Sequence, residues 1–104
     1  MSRGPDAATQ LERALVATAQ SAGCPIAIAT SDWTRWASAT FTGARHTLTL
    51  TAAAGPMLDQ WLAGLSEAEF RLRNYLVADL TVTRLIRDGA VATVALEALT
   101  VEER

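Results

Sequence analysis

Asp32, Trp33, Arg35 and Trp36 form the densest polar and aromatic cluster in the chain. An acid and an arginine beside two tryptophans can line a small-molecule pocket or anchor a partner, because tryptophan and arginine dominate binding hot spots. The plainer reading has one tryptophan capping the core and the other packing on a helix. Tyr75 is a candidate to join such a pocket. A Tyr75–Asp79 pair could move a proton, but a solvated sheet face already accounts for Asp79 together with Thr81 and Thr83.

His46 and Cys24 are the only histidine and the only cysteine. A metal centre needs several His, Cys or carboxylate ligands converging, so no metal and no cofactor is expected. A Cys–His nucleophilic pair would need these two side by side in space. Cys24 lies in a Gly-Cys-Pro junction, where a small buried packing residue is the simpler assignment. His46 follows Arg45 at the mouth of an expected hairpin and reads as a surface or strand-end residue. That hairpin would place His46 at its turn and Trp36 away from it, so the two are not expected to share a site. Glu67 and Glu69 would diverge on a helix, and Glu69 has a capping role open to it. The glycines are isolated and there is no lysine, which removes phosphate loops and Schiff-base chemistry.

Net charge is −2 and the isoelectric point is near 5.2. All nine basic side chains are arginine, and they are scattered rather than clustered. Nucleic-acid binding, which rests on clustered positive charge, is therefore not expected. Half of the residues are hydrophobic, but few are aromatic, so Ala, Leu, Val and Thr must fill much of the core. Such a core is adequate rather than generous at about 25 cal/mol per Å² of apolar surface, and self-association would bury more. The lysine-free, alanine-rich composition fits a GC-rich bacterial genome. An unpaired cysteine fits a reducing compartment, and neither a signal peptide nor a run of about 18 apolar residues is seen. The expected setting is cytoplasmic, without a membrane partner.

The elements that must position these residues leave a readable trace. Residues 1–5 read as a flexible end and 6–104 as a single α+β domain. Asp6 is a candidate N-cap. Leu11, Ala14, Leu15, Thr18, Ala19 and Ala22 then recur at helical spacing, and Gly23 and Pro25 end the helix near residue 22. Ile26–Ala29 reads as a short strand, Thr30-Ser31-Asp32 as a turn, and Arg35–Thr42 as a second strand. A turn at Thr42-Gly43-Ala44-Arg45 would lead into a third strand, His46–Ala52, where Leu48 and Leu50 alternate with threonines. Gly55-Pro56 opens a second helix, with a bend and one more turn near Ser66–Glu69.

Leu76–Arg87 and Ala90–Glu102 form a last hairpin about Asp88-Gly89. Leu76, Ala78, Leu80 and Val82 share one face of its first arm, with a β-bulge near Thr83-Arg84. On its second arm Val94, Leu96 and Ala98 oppose Val91, Ala95, Leu99 and Val101, an arm apolar on both sides. The expected fold is α+β, an antiparallel sheet of about five strands with two helices on one face, in the order α-β-β-β-α-β-β. The function these features suggest is an interaction or assembly module. It would form a homo-oligomer, or bind another protein, through Val91, Ala95, Leu99 and Val101. The alternative is a small-molecule site or minor enzyme near Asp32, Trp33, Arg35, Trp36 and Tyr75.

Overall fold

The computed structural model describes residues 6–103, so the expected flexible end at residues 1–5 lies outside the described residues. In chain order the elements are α1 (Ala7–Ser21), β1 (Ile26–Ala37), β2 (Thr42–Ala53), α2 (Pro56–Gly64), a 3₁₀ turn (Leu65–Glu67), β3 (Arg71–Leu72), β4 (Tyr75–Asp88) and β5 (Val91–Glu102). The strands form one antiparallel five-stranded sheet in the order β1-β2-β5-β4-β3. The fold is thus the expected α+β class, but the element order is α-β-β-α-β-β-β in place of α-β-β-β-α-β-β, because residues 26–37 make one strand and Arg71–Leu72 adds a short one after α2.

α1 starts where Asp6 accepts a hydrogen bond from the Thr9 amide at 2.8 Å and ends at Gly23, whose φ is +84°. Its buried stripe of Ala7, Ala8, Leu11, Leu15 and Ala19 follows the helical repeat. Leu11 and Leu15 meet Leu48, Leu50, Val94 and Leu96 from the centre of the sheet, and Leu65 and Leu80 complete that core. α2 closes the other end. Leu58 packs with Ala19, Cys24 and Ala92, and Arg87 on β4 reaches Asp59 at 2.7 Å.

Three expectations about strands change. Thr30, Ser31 and Asp32 are no turn but the middle of one twelve-residue strand, β1, with a bulge between Ile28 and Thr30. β1 is the sheet's outer strand and runs beyond the helix, so its exposed residues lack the alternation that marks a half-buried strand. The hairpin turn is at 38–41, not at Gly43. Ser38 takes the place of a glycine there: its amide donates to the Phe41 carbonyl at 2.7 Å, and its Oγ accepts from the Phe41 amide at 3.0 Å. On β4 a second bulge, between Val77 and Asp79, turns Leu76 away from the core. The expected bulge at Thr83 is present, between Val82 and Arg84.

Gly43 lies inside β2. A Cβ there would stand 1.9 Å from the Thr100 carbonyl oxygen and 2.9 Å from the Trp36 ring. Its glycine serves close approach of two strands under an indole ring, a use of glycine unrelated to turns.

Candidate functional site

The register sorts every candidate residue onto one of two faces. On the helix-covered face, Arg35 lies beside Ala44 and Thr100, and Trp33 beside His46 and Ala98. On the opposite face the rows read Trp36–Gly43–Val101–Leu76, Thr34–Arg45–Leu99–Asp79, Asp32–Thr47–Glu97–Thr81 and Thr30–Thr49–Ala95–Arg84. Trp33 and Arg35 therefore part from Asp32 and Trp36, because side chains alternate along a strand. No single pocket holds all four. Tyr75 and Asp79 also separate, and no Tyr–Asp pair forms.

The helix covers only part of its face. Beyond the first turn of α1 lies a cleft of about 120 Å³, walled by Trp33, Arg35, Tyr75 and Glu102 and floored by His46. Asp6, Ala7 and Ala8 bring the N-terminus of α1 to its rim. Tyr75 and Glu102 pair across the β4–β5 ladder, which carries both to this end of the sheet. The Arg35 guanidinium stands 4.0 Å from the Glu102 carboxylate, both well exposed.

His46 corrects an expectation. It is 1 % exposed rather than a surface residue, and it shares this cleft with Trp33 and Arg35. Its Nε2 is 2.9 Å from Thr100 Oγ1, and that hydroxyl donates onward to the Ala44 carbonyl at 3.4 Å. The other ring nitrogen, Nδ1, is buried and without a hydrogen-bond partner. Burial holds the His46 pKa below its ordinary value, against the pull of the Asp6 and Glu12 carboxylates. Asp6 is held low by the hydrogen bond from the Thr9 amide.

Cys24 is buried beside Ala19, Leu58 and Ala92, with its thiol pushed up by desolvation. Such a thiol is unreactive, and it packs in a different core cluster from the sheet rows that hold His46. Among the described residues no three His, Cys, Asp or Glu side chains converge as a metal site would require. No helix among them is long and apolar enough to cross a membrane.

The second candidate is the face without helices. Val91, Ala95, Leu99 and Val101 all project from β5 onto it, since the alternate residues Ala92, Val94, Leu96, Ala98 and Thr100 are the buried ones. Leu76, about half exposed, and Trp36 extend the apolar surface at one end, with the exposed Phe41 on the adjoining turn. Trp36 Nε1 is itself buried without a partner.

Of the residues that wall and floor the cleft, His46 and Glu102 are the two that sequence reasoning did not assign to a site. No protein-family model, curated protein or solved structure matches this chain.

Proposed function

We propose that this protein is a self-assembly module whose helix-free sheet face is covered by a second copy. The observation that supports this reading most is the arrangement about Leu99. In its row, Arg45 lies on one side and Asp79 on the other, each one strand away. Strands are about 4.8 Å apart, and stacked sheets about 10 Å. A two-fold axis running along β5 between two such sheets brings Arg45 of each copy over Asp79 of the other. The same axis sets bare Gly43 over Leu76, with Trp36 one strand farther out. A self-complementary patch of this kind is what an isologous dimer needs. A foreign partner would not require the two charges to be placed symmetrically about one leucine. The unpaired, buried Cys24 agrees with a reducing, cytoplasmic setting.

Charge exchange tests the arrangement. Arg45→Asp and Asp79→Arg each set like charges against one another across the axis, and each should weaken dimerisation at least about ten-fold. The double variant restores opposite charges and should recover most of the loss. Sedimentation equilibrium on the four proteins gives the answer. Single variants that associate as the parent does, or a double variant no better than either single, would overturn the proposal.

A further inference from the structure

We propose that Glu97 makes self-association respond to protons, so that two copies join more tightly in mild acid than at neutral pH. This inference rests on the covered sheet face proposed above and names how that face is regulated.

β5 sends Val91, Thr93, Ala95, Glu97, Leu99 and Val101 onto the helix-free face, and Glu97 is the one charged side chain among them. It is exposed in the single chain. A two-fold axis along β5 sets each of these residues against its own counterpart, so Glu97 of one copy meets Glu97 of the other. Stacked sheets lie about 10 Å apart, which leaves each side chain about half of that depth. The two carboxylates therefore end in the same layer, between two sheets.

The surroundings do not cancel this pair of charges. Thr47 on β2 and Thr81 on β4 flank Glu97 in its row, and both are neutral. Arg45 on β2 and Asp79 on β4 stand beside Leu99, and they face one another between the copies. Arg84 on β4 stands beside Ala95, and Asp32 on β1 closes the row of Glu97 two strands away. No helix packs on this face. Around the axis each copy thus sets the three carboxylates of Asp32, Asp79 and Glu97 against the two guanidiniums of Arg45 and Arg84.

Two like charges sharing one enclosed site cannot both stay ionised, so the pair keeps a proton that separate carboxylates release at about pH 4. That proton lets one side chain donate to the other, and the repulsion is gone. A dimer that binds one proton more than its separated chains tightens as the pH falls, by up to about ten-fold per pH unit. The Arg45–Asp79 pairs act in the opposite sense only at about pH 4, where aspartates take up protons. His46 lies on the other face, so its titration is common to single and paired chains.

Sedimentation equilibrium on the full chain, with a chelator present to exclude a bridging metal ion, tests the switch. The parent should associate about ten-fold more tightly at about pH 5.5 than at about pH 7.5. Glu97→Gln alters an exposed side chain. It should associate at least about ten-fold more tightly than the parent at neutral pH, and equally at both pH values. Asp32→Asn removes the same charge from the same row, away from the axis. It should keep the parent's affinity and pH response, which separates the axial contact from a general loss of charge near the isoelectric point. Equal parent affinity at both pH values would overturn the proposal and leave the covered face standing. So would a Glu97→Gln protein that still responds to pH, or an Asp32→Asn protein that behaves like it. Single chains for parent and Glu97→Gln at both pH values would overturn the covered face itself, and this inference with it.

Discussion

Replacing Gly43 by alanine is a sharp test of how the two faces are held together. The new Cβ would stand 1.9 Å from the Thr100 carbonyl oxygen, 2.9 Å from Trp36 Cζ2 and 3.0 Å from the Thr100 carbonyl carbon. A carbon and a carbonyl oxygen approach to about 3.3 Å at closest, so β2 and β5 must part by about 1.4 Å at this point. That is enough to break the ladder hydrogen bonds on either side. Two lost bonds cost about 1–3 kcal/mol together. Moving the Trp36 ring adds an overpacking cost of about 1–3 kcal/mol. The expected destabilisation is therefore about 2–6 kcal/mol, a large part of the 5–15 kcal/mol that typically holds a domain. Urea unfolding followed by tryptophan fluorescence measures it, with an unchanged slope showing that the transition itself is the same. Gly64→Ala is the control, because nothing lies within 4 Å of a Cβ there; it should be neutral or slightly stabilising. A loss below about 0.5 kcal/mol for Gly43→Ala would refute the close-approach argument.

Other outcomes follow from the same geometry. Because burial lowers the His46 pKa from its ordinary 6.5, the unfolded chain binds more protons than the folded one in the window below that value. His46's contribution to stability is complete above pH 6.5 and is lost as the pH falls toward the lowered folded value, so urea midpoints should drop across that range. Asp6→Ala should cost about 1 kcal/mol by removing the α1 cap, read from thermal melts at neutral pH. The Asp6 pKa is lowered from 3.8, so its part of stability is complete above that value and fades as the pH falls through the folded one. Arg87→Leu breaks the 2.7 Å pair with Asp59, but both side chains are about half exposed, so the loss should stay under about 1 kcal/mol in the same melts.

The parts of the fold legible in the sequence are those where local chemistry and burial agree. Asp6 and Gly23 bracket α1 because a cap and a left-handed residue are local requirements. Leu48 and Leu50 alternate with threonines because β2 is central and covered on one side only. Asp88-Gly89 marks the last hairpin, where Gly89 indeed has φ +62°. The misread parts are those where the cause is distant. β1 is an outer strand that outruns the helix, so Thr30, Ser31 and Asp32 carry turn-like polarity without making a turn. Gly43 is required by Thr100, far along the chain, and its neighbours give no hint of that. The bulge at Ala78 shifts the phase of β4, and Leu76 changes face as a result.

The candidate sites show the same division. Val91, Ala95, Leu99 and Val101 share a face because an uninterrupted strand obeys strict alternation. The cleft could not be read from spacing, since Arg35, His46, Tyr75 and Glu102 come from four different strands. Alternation along an unbroken β1 would have separated Trp33 and Arg35 from Asp32 and Trp36. The supposed turn at Thr30–Asp32 hid that periodicity. His46 was misplaced because its burial depends on α1 and β5, which lie on either side of it only in the folded chain.

The central claim, that a second copy covers the helix-free face, is tested most directly by the mass of the protein in solution. Light scattering at micromolar concentration should give twice the 11.1 kDa chain mass, and Leu99→Asp should reduce it to the single-chain value. A single-chain mass for the parent protein, with solubility unchanged in Leu99→Asp, would contradict the account.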